Sequence, residues 1–281
     1  MQDKHVIEAL GKAEVIIENG KITSIGEPQV GYCSIFEKYQ DNGELTEEFI
    51  KNNITKRISE FGMCTPQRSI DVPDTMSFGT SETLRTNMEK GYVDCVVGAC
   101  DGVGTLLMSE PGIVQGVGGR VSALISTTPI KEVMDNVGIE NVLNPETAEL
   151  NPIKGLQMAI ERGYKNIAVT IIPTELIKDL RQYPRPEDVN VYIFVAHTTG
   201  VSKKEAEMLF DYADVISGCS SKYIRETAEQ RKPYYSGNKV PLYAVTDEGK
   251  RLLDVRLKYI NKQLSAKDYP QDFSNSPKPL I

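Results

Sequence analysis

The sequence predicts an α/β fold: a mostly parallel open sheet flanked by helices, with an N-terminal hairpin-plus-helix segment packed against it. Three observations carry this. From about residue 76 onward, short β-branched runs alternate with stretches of helical period, the pattern of successive βαβ units. Before that point, Asn19-Gly20 separates two β-rich runs, a strong hairpin signal. The composition, 40% hydrophobic and 25% charged over 281 residues, is that of a globular chain rather than a disordered, collagen-like or coiled-coil one. The predicted organisation is one α/β domain over residues 1–264, of which 1–75 form the hairpin/helix segment, followed by a C-terminal tail over 265–281.

The elements follow in order. Residues 3–12 read as a short helix, and 13–26 as the hairpin. Phe49, Ile50, Ile54, Ile58 and Phe61 recur at three- and four-residue spacing, which predicts an amphipathic helix over 45–61, and Gly62 is placed as its stop. Residues 81–91 read as a helix and 93–99 as a buried strand, with Cys100 to Gly104 as its exit loop. A strand is expected over 121–125 and a helix over 129–137. Pro152 suits the first turn of a helix over 151–163. Strands over 166–172, 189–196, 214–218 and 240–245 alternate with helices over 174–182, 202–213, 222–230 and 248–264. Ser202 and Glu205 have capping-box spacing.

Charge and composition exclude several functions. The net charge is −7, from 32 basic and 39 acidic residues, with no basic run to neutralise phosphates, so nucleic acid is not the expected partner. No apolar run approaches the roughly 20 residues of a membrane span, and residues 1–10 show no apolar signal core. The expected location is cytoplasmic. Five cysteines, an odd number, fit a reducing compartment better than a disulfide framework. Two histidines in all cannot build a multi-histidine metal site within one chain.

Ligands of parallel α/β folds sit beyond the carboxyl ends of the strands. That rule selects Cys100-Asp101, His197-Thr198-Thr199-Gly200, Cys219-Ser220-Ser221 and Pro173-Thr174-Glu175. Side chains alternate along a strand, so Cys95, five residues before Cys100, should face the opposite way, into the core. The remaining cysteines, Cys33, Cys64, Cys100 and Cys219, all fall in predicted loops, and four thiolates are what an iron–sulfur cluster requires. Three readings stay open: unrelated structural thiols, a shared cluster or metal, and a catalytic thiol. In the last, Cys219 or Cys100 is the nucleophile, a strand-exit thiol at a helix N-terminus, and His197 is the base. The glycine cluster Gly116, Gly118, Gly119 with Arg120 reads either as a plain turn or as backbone N–H groups and a counter-charge for an anionic ligand.

Four blocks carry a resemblance: Gly31-Tyr32-Cys33, Phe61-Gly62-Met63-Cys64-Thr65-Pro66, Val114-Gln115-Gly116-Val117-Gly118-Gly119-Arg120, and Ser217-Gly218-Cys219-Ser220-Ser221-Lys222-Tyr223. Together they resemble the methanogenesis marker protein 8 family of methane-producing archaea, over about residues 4–257. The resemblance implies an anaerobic cytoplasmic setting and a part in cofactor handling or in maturation of methyl-coenzyme M reductase, with that maturation machinery as partner. It supplies no reaction. The leading expectation is therefore an accessory protein holding an iron–sulfur cluster or metal through its loop cysteines. The alternatives are an enzyme using Cys/His thiol chemistry on a small anionic molecule, and a non-catalytic scaffold.

Overall fold

The computed structural model describes residues 3–37, 43–74, 76–119 and 123–281. In chain order, the first strands are β1 (Lys4–Glu8), β2 (Glu14–Glu18) and β3 (Lys21–Ile25), followed by helices α1 (Glu47–Phe61) and α2 (Thr80–Glu89). Then come β4 (Cys95–Cys100), β5 (Gly104–Met108), α3 (Pro111–Gly118), β6 (Ala123–Ser126), α4 (Lys131–Val137), α5 (Pro152–Glu161) and β7 (Asn166–Ile171). The rest is α6 (Leu176–Gln182), β8 (Asn190–Val195), α7 (Lys203–Tyr212), β9 (Val215–Ser217), α8 (Lys222–Arg231), β10 (Tyr234–Ser236), β11 (Leu242–Ala244) and α9 (Asp247–Tyr259).

The strands form two sheets. The larger has seven strands in the order β10-β11-β9-β8-β7-β4-β5, and the smaller has four in the order β3-β2-β1-β6. The fold is α/β, but the expectation of a mostly parallel sheet is corrected. Parallel pairing is confined to β4·β7, β7·β8 and β8·β9. Both flanks of the large sheet are antiparallel, as is every pair of the small one. The reason lies in connection length. Cys100 pairs with Gly104 across a tight turn, so Asp101-Gly102 turns a hairpin rather than leading to a crossover helix, and β5 returns beside β4.

Helices cover both faces of the large sheet. On one face Cys95, Val97, Val169, Ile193 and Val195 pack against α5, α6, α7 and α8. On the other Val96, Cys100, Ala168 and Phe194 pack against α2, α3, α4 and α9. This period-two division is the strand pleat, and it places Cys95 and Cys100 on opposite faces. In the small sheet Ile7, Val15 and Ile17 pack on Ile50 and Ile54 of α1 and on Met63 and Cys64. Helix α1 ends at Gly62, at φ 64°. A Cβ there would lie 2.3 Å from the Gln67 carbonyl oxygen, so both the left-handed turn and the close return of residue 67 require glycine.

Residues 3–12 are β1 and a short 3-10 turn rather than the expected helix. The cause is pairing with β2 and β6; the pleat then buries His5 with Ile7 on the inner face of β1, its ring nitrogens 2.6 Å from Thr127 Oγ1 and 2.8 Å from Asp3 Oδ1. The expected glycine turn at 116–119 is instead the last turn of α3 and its cap. The strand expected over 121–125 is β6, which joins the small sheet. Residues 265–281 lie back across the molecule: Ala266 pairs with Tyr235, Lys278 with Tyr32, and Ser220 Oγ donates to Pro279 O at 2.6 Å.

Candidate functional site

Beyond the carboxyl ends of β4, β7 and β8 lies a cavity of about 410 Å³. It is walled by Val97, Gly98 and Ala99 of β4, Val114, Val117 and Gly118 of α3, Ala123 to Ile125 of β6, and residues 170–174. Its size falls in the range of small-molecule sites. The lining is aliphatic, relieved by Thr80, Ser81, Thr105, Thr170, Thr174 and His197. Two of the hydroxyls are committed to the backbone: Thr105 Oγ1 accepts from Asn151 N at 2.8 Å, and Thr170 Oγ1 donates to Val97 O at 3.3 Å. At the rim, Ile125, Ile172 and Leu176 are 47%, 37% and 39% exposed. They are three of the eight large apolar side chains left on the surface among the described residues, and clustered apolar exposure of this kind marks a binding site.

A polar annex of about 150 Å³ adjoins it, sharing Ala123, Ile172, Pro173 and His197. Glu8, Lys12, Thr199, Gly200, Val201 and Glu205 complete its wall. Lys12 Nζ donates to Thr199 O at 3.1 Å, and the Glu205 carboxylate is held by the Ser202 N–H at 2.7 Å in the capping box of α7. Partial burial lifts the Glu8 carboxyl above the usual carboxylate range, opposed by the positive charge of Lys12. His197 sits at the junction of the two spaces, at the exit of β8. Its φ is 58°, a conformation uncommon outside glycine and enriched at functional sites. The next residue fixes the loop, since Thr198 Oγ1 donates to Ser217 O at 2.6 Å.

The other candidate residues are distributed differently. Gly118 lines the cavity, whereas Gly116 serves packing: a Cβ there would lie 1.9 Å from Ile70 O. Gly119 closes α3 against Gln115. Arg120 lies outside the described residues. Cys64 and Cys100 belong to a buried node. The Arg68 Nε lies 2.9 Å from Asp101 Oδ1 with both side chains fully buried. Cys64 N donates to Asp101 Oδ2 at 2.5 Å, and Arg68 Nη2 to Gly116 O at 2.9 Å. Asp101 is thereby saturated by a guanidinium and an N–H and ties residues 64–68 to the β4–β5 turn. Burial pushes the thiols of Cys64 and Cys100 up, reinforced by the Asp101 charge. Cys33 is also buried, and that burial is the first cause that raises its thiol. Of the four cysteines, Cys64 and Cys100 meet at one place, both touching Asp101. Among the described residues no group of three or more His, Cys, Asp or Glu side chains is arranged to hold a metal ion. None of the four cysteines lines either of the two cavities.

Comparison with known proteins fits this whole span. Residues 5–258 match a family of uncharacterised proteins conserved in archaea, DUF2099. The chain belongs to that archaeal family. An uncharacterised protein of Methanocaldococcus jannaschii, MJ0054, is 38% identical over 285 residues, covering 99% of this chain and all of that one. Both cavities and the four cysteines fall within the matched span. No helix among the described residues is long and apolar enough to cross a membrane.

The cavity was half legible in the sequence. The strand-exit rule finds His197 and Thr174, but not the wall that β6 and α3 supply, because β6 comes from the other sheet. Glu8 and Lys12 carried no local signal. They reach the site because the small sheet places the end of β1 beside the exit of β8.

Proposed function

We propose that this protein binds a small molecule with an apolar body and a polar head at the strand exits, with His197 as the group that exchanges a proton with the head. The observation that carries this is the cavity itself: an aliphatic chamber with exposed Ile125, Ile172 and Leu176 at its rim, opening through His197 into a polar annex. The body would displace water from the aliphatic wall, at about 25 cal/mol per Å² of apolar surface covered. The head would meet Lys12, Glu8 and His197, and the imidazole at that junction can accept or return a proton. The methanogenic setting and a part in cofactor handling or methyl-coenzyme M reductase maturation, implied by the sequence resemblance, belong to this proposal, and the relative in Methanocaldococcus jannaschii supports that setting.

The test is a titration with 1-anilinonaphthalene-8-sulfonate, an apolar body bearing a polar head. The expected result is one site of enhanced fluorescence in the wild-type chain. Gly118→Leu, whose new side chain would start 3.3 Å from Ser81 Cβ and fill the chamber, should weaken it at least about tenfold, 1.4 kcal/mol. Equal binding by both proteins refutes the cavity as the site. Stoichiometric iron and sulfide in anaerobically purified protein would favour the cluster reading instead.

A further inference from the structure

The polar annex holds one ammonium and two carboxylates that do not pair with one another. Glu8, Lys12 and Glu205 line the same space of about 150 Å³, and all three are partly buried. Among the described residues no ion pair joins Lys12 to either carboxylate. Lys12 is held elsewhere. Its Nζ donates to Thr199 O at 3.1 Å, and a Cβ on Gly200 would lie 2.8 Å from it. The ammonium is therefore seated over the bare backbone of Gly200, where a larger residue would displace it. Lys12 itself has φ 67°, a left-handed conformation that is costly outside glycine and recurs at ligand clamps.

Each charge is short of partners. An ammonium has three N–H donors, and Thr199 O takes one of those of Lys12. Glu8 makes no side-chain hydrogen bond among the described residues. Burial lifts its carboxyl, and the charge of Lys12 offsets this only in part. Glu205 gives one oxygen to Ser202 N at 2.7 Å in the capping box, and its other oxygen has no donor among the described residues. Partly buried charges of both signs favour a ligand that brings both complements at once. A head with only a negative charge would face the two carboxylates, and one with only a positive charge would face the ammonium. The chamber meets this annex at Ala123, Ile172, Pro173 and His197, so both charges belong at one end of an apolar body.

We propose that the annex recognises a zwitterionic head, an ammonium and a carboxylate on one carbon, and that the ligand is an α-amino acid with a large apolar side chain. The ligand carboxylate meets Lys12, its ammonium meets Glu8 and the second oxygen of Glu205, and its side chain fills the chamber. This rests on the reading of the cavity as a binding site and names the class of molecule that the site takes.

The chain contains no tryptophan, so the emission of an indole ligand can be followed directly. The test is fluorescence anisotropy of three probes titrated with protein: L-tryptophan, tryptamine, which lacks the carboxylate, and indole-3-propionate, which lacks the ammonium. The wild type should bind L-tryptophan at least about tenfold tighter than either analogue, the effect of one charge-assisted contact. In Lys12→Met, L-tryptophan should bind no tighter than tryptamine. In the double variant Glu8→Gln, Glu205→Gln it should bind no tighter than indole-3-propionate. Glutamine at 205 preserves the capping box, so α7 is spared. Equal binding of the three probes, tighter binding of either analogue, a preference unchanged in either variant, or no indole binding by a chain that binds 1-anilinonaphthalene-8-sulfonate would overturn the zwitterionic head. Binding of that sulfonate that is absent, or that Gly118→Leu leaves unchanged, would instead overturn the cavity reading, and this proposal with it.

Discussion

Replacing Asp101 by Asn removes the charge that balances Arg68 while leaving the side-chain shape. Both side chains are fully buried, with Nε 2.9 Å and 3.2 Å from the two carboxylate oxygens. The carboxylate also takes the Cys64 N–H, and the same guanidinium holds Gly116 O. The node therefore fastens three segments: residues 64–68, the β4–β5 turn and the end of α3. Removing one member of a buried pair leaves an uncompensated charge and costs about 3–5 kcal/mol. At about 2–4 °C per kcal/mol for a chain of this size, Tm should fall on the order of 10 °C. Urea unfolding measures the cost directly as a lower midpoint at unchanged slope. The pairing itself is isolated by a cycle with Arg68→Met: the double variant should cost about 2 kcal/mol less than the sum of the singles. A loss below about 1 kcal/mol in Asp101→Asn, or strict additivity, would refute the reading of this node as a buried structural pair.

Three further outcomes are expected. Burial raises the thiols of Cys33, Cys64, Cys95 and Cys100, that of Cys95 from 9.0 to about 12. The unfolded chain therefore binds fewer protons above about pH 9, and stability is full below that pH and lost as pH climbs toward the folded values, by up to about 1.4 kcal/mol per pH unit per thiol. Urea midpoints equal at pH 8 and pH 10.5 would contradict this. Glu8, whose carboxyl is lifted by burial, stabilises the fold most when protonated, so its contribution fades as pH rises through its folded value. The stability of Glu8→Gln relative to wild type should thus grow from pH 4 to pH 8, and a constant difference would show that Glu8 is not perturbed. Gly116→Ala would place a Cβ 1.9 Å from Ile70 O and should cost about 1–3 kcal/mol; a chain as stable as wild type would show that this approach is loose.

The helices and central strands could be read from the sequence because their signals are local. The capping box at Ser202 and Glu205 forms as its spacing predicts, the Asn151 cap and Pro152 open α5, and Gly62 ends α1. The departures lie in how strands pair, which the local signal leaves open. Strand β1 depends on β2 and on β6, more than 110 residues away. Strand β5 depends on a two-way turn whose Asp101-Gly102 signal also fits a loop, and β10 on the return of β11. The same limit applies to the site. His197 announces itself by following a buried strand, but an aliphatic wall assembled from α3, β4, β6 and β7 has no sequence signature beyond ordinary core residues. The glycines of 116–119 looked like a bare turn because close helix packing and ligand approach ask for the same residue.

The central claim, that the strand-exit cavity holds a small molecule, is tested most directly by letting the protein choose its ligand. Wild-type and Gly118→Leu chains are equilibrated with the small-molecule extract of a methanogenic archaeon, washed, denatured and assayed by mass spectrometry for retained compounds. The account predicts a compound with an apolar body and a polar head, retained near one equivalent by the wild type and lost from Gly118→Leu. Retention of the same compounds by both chains, or of none by either, would contradict it.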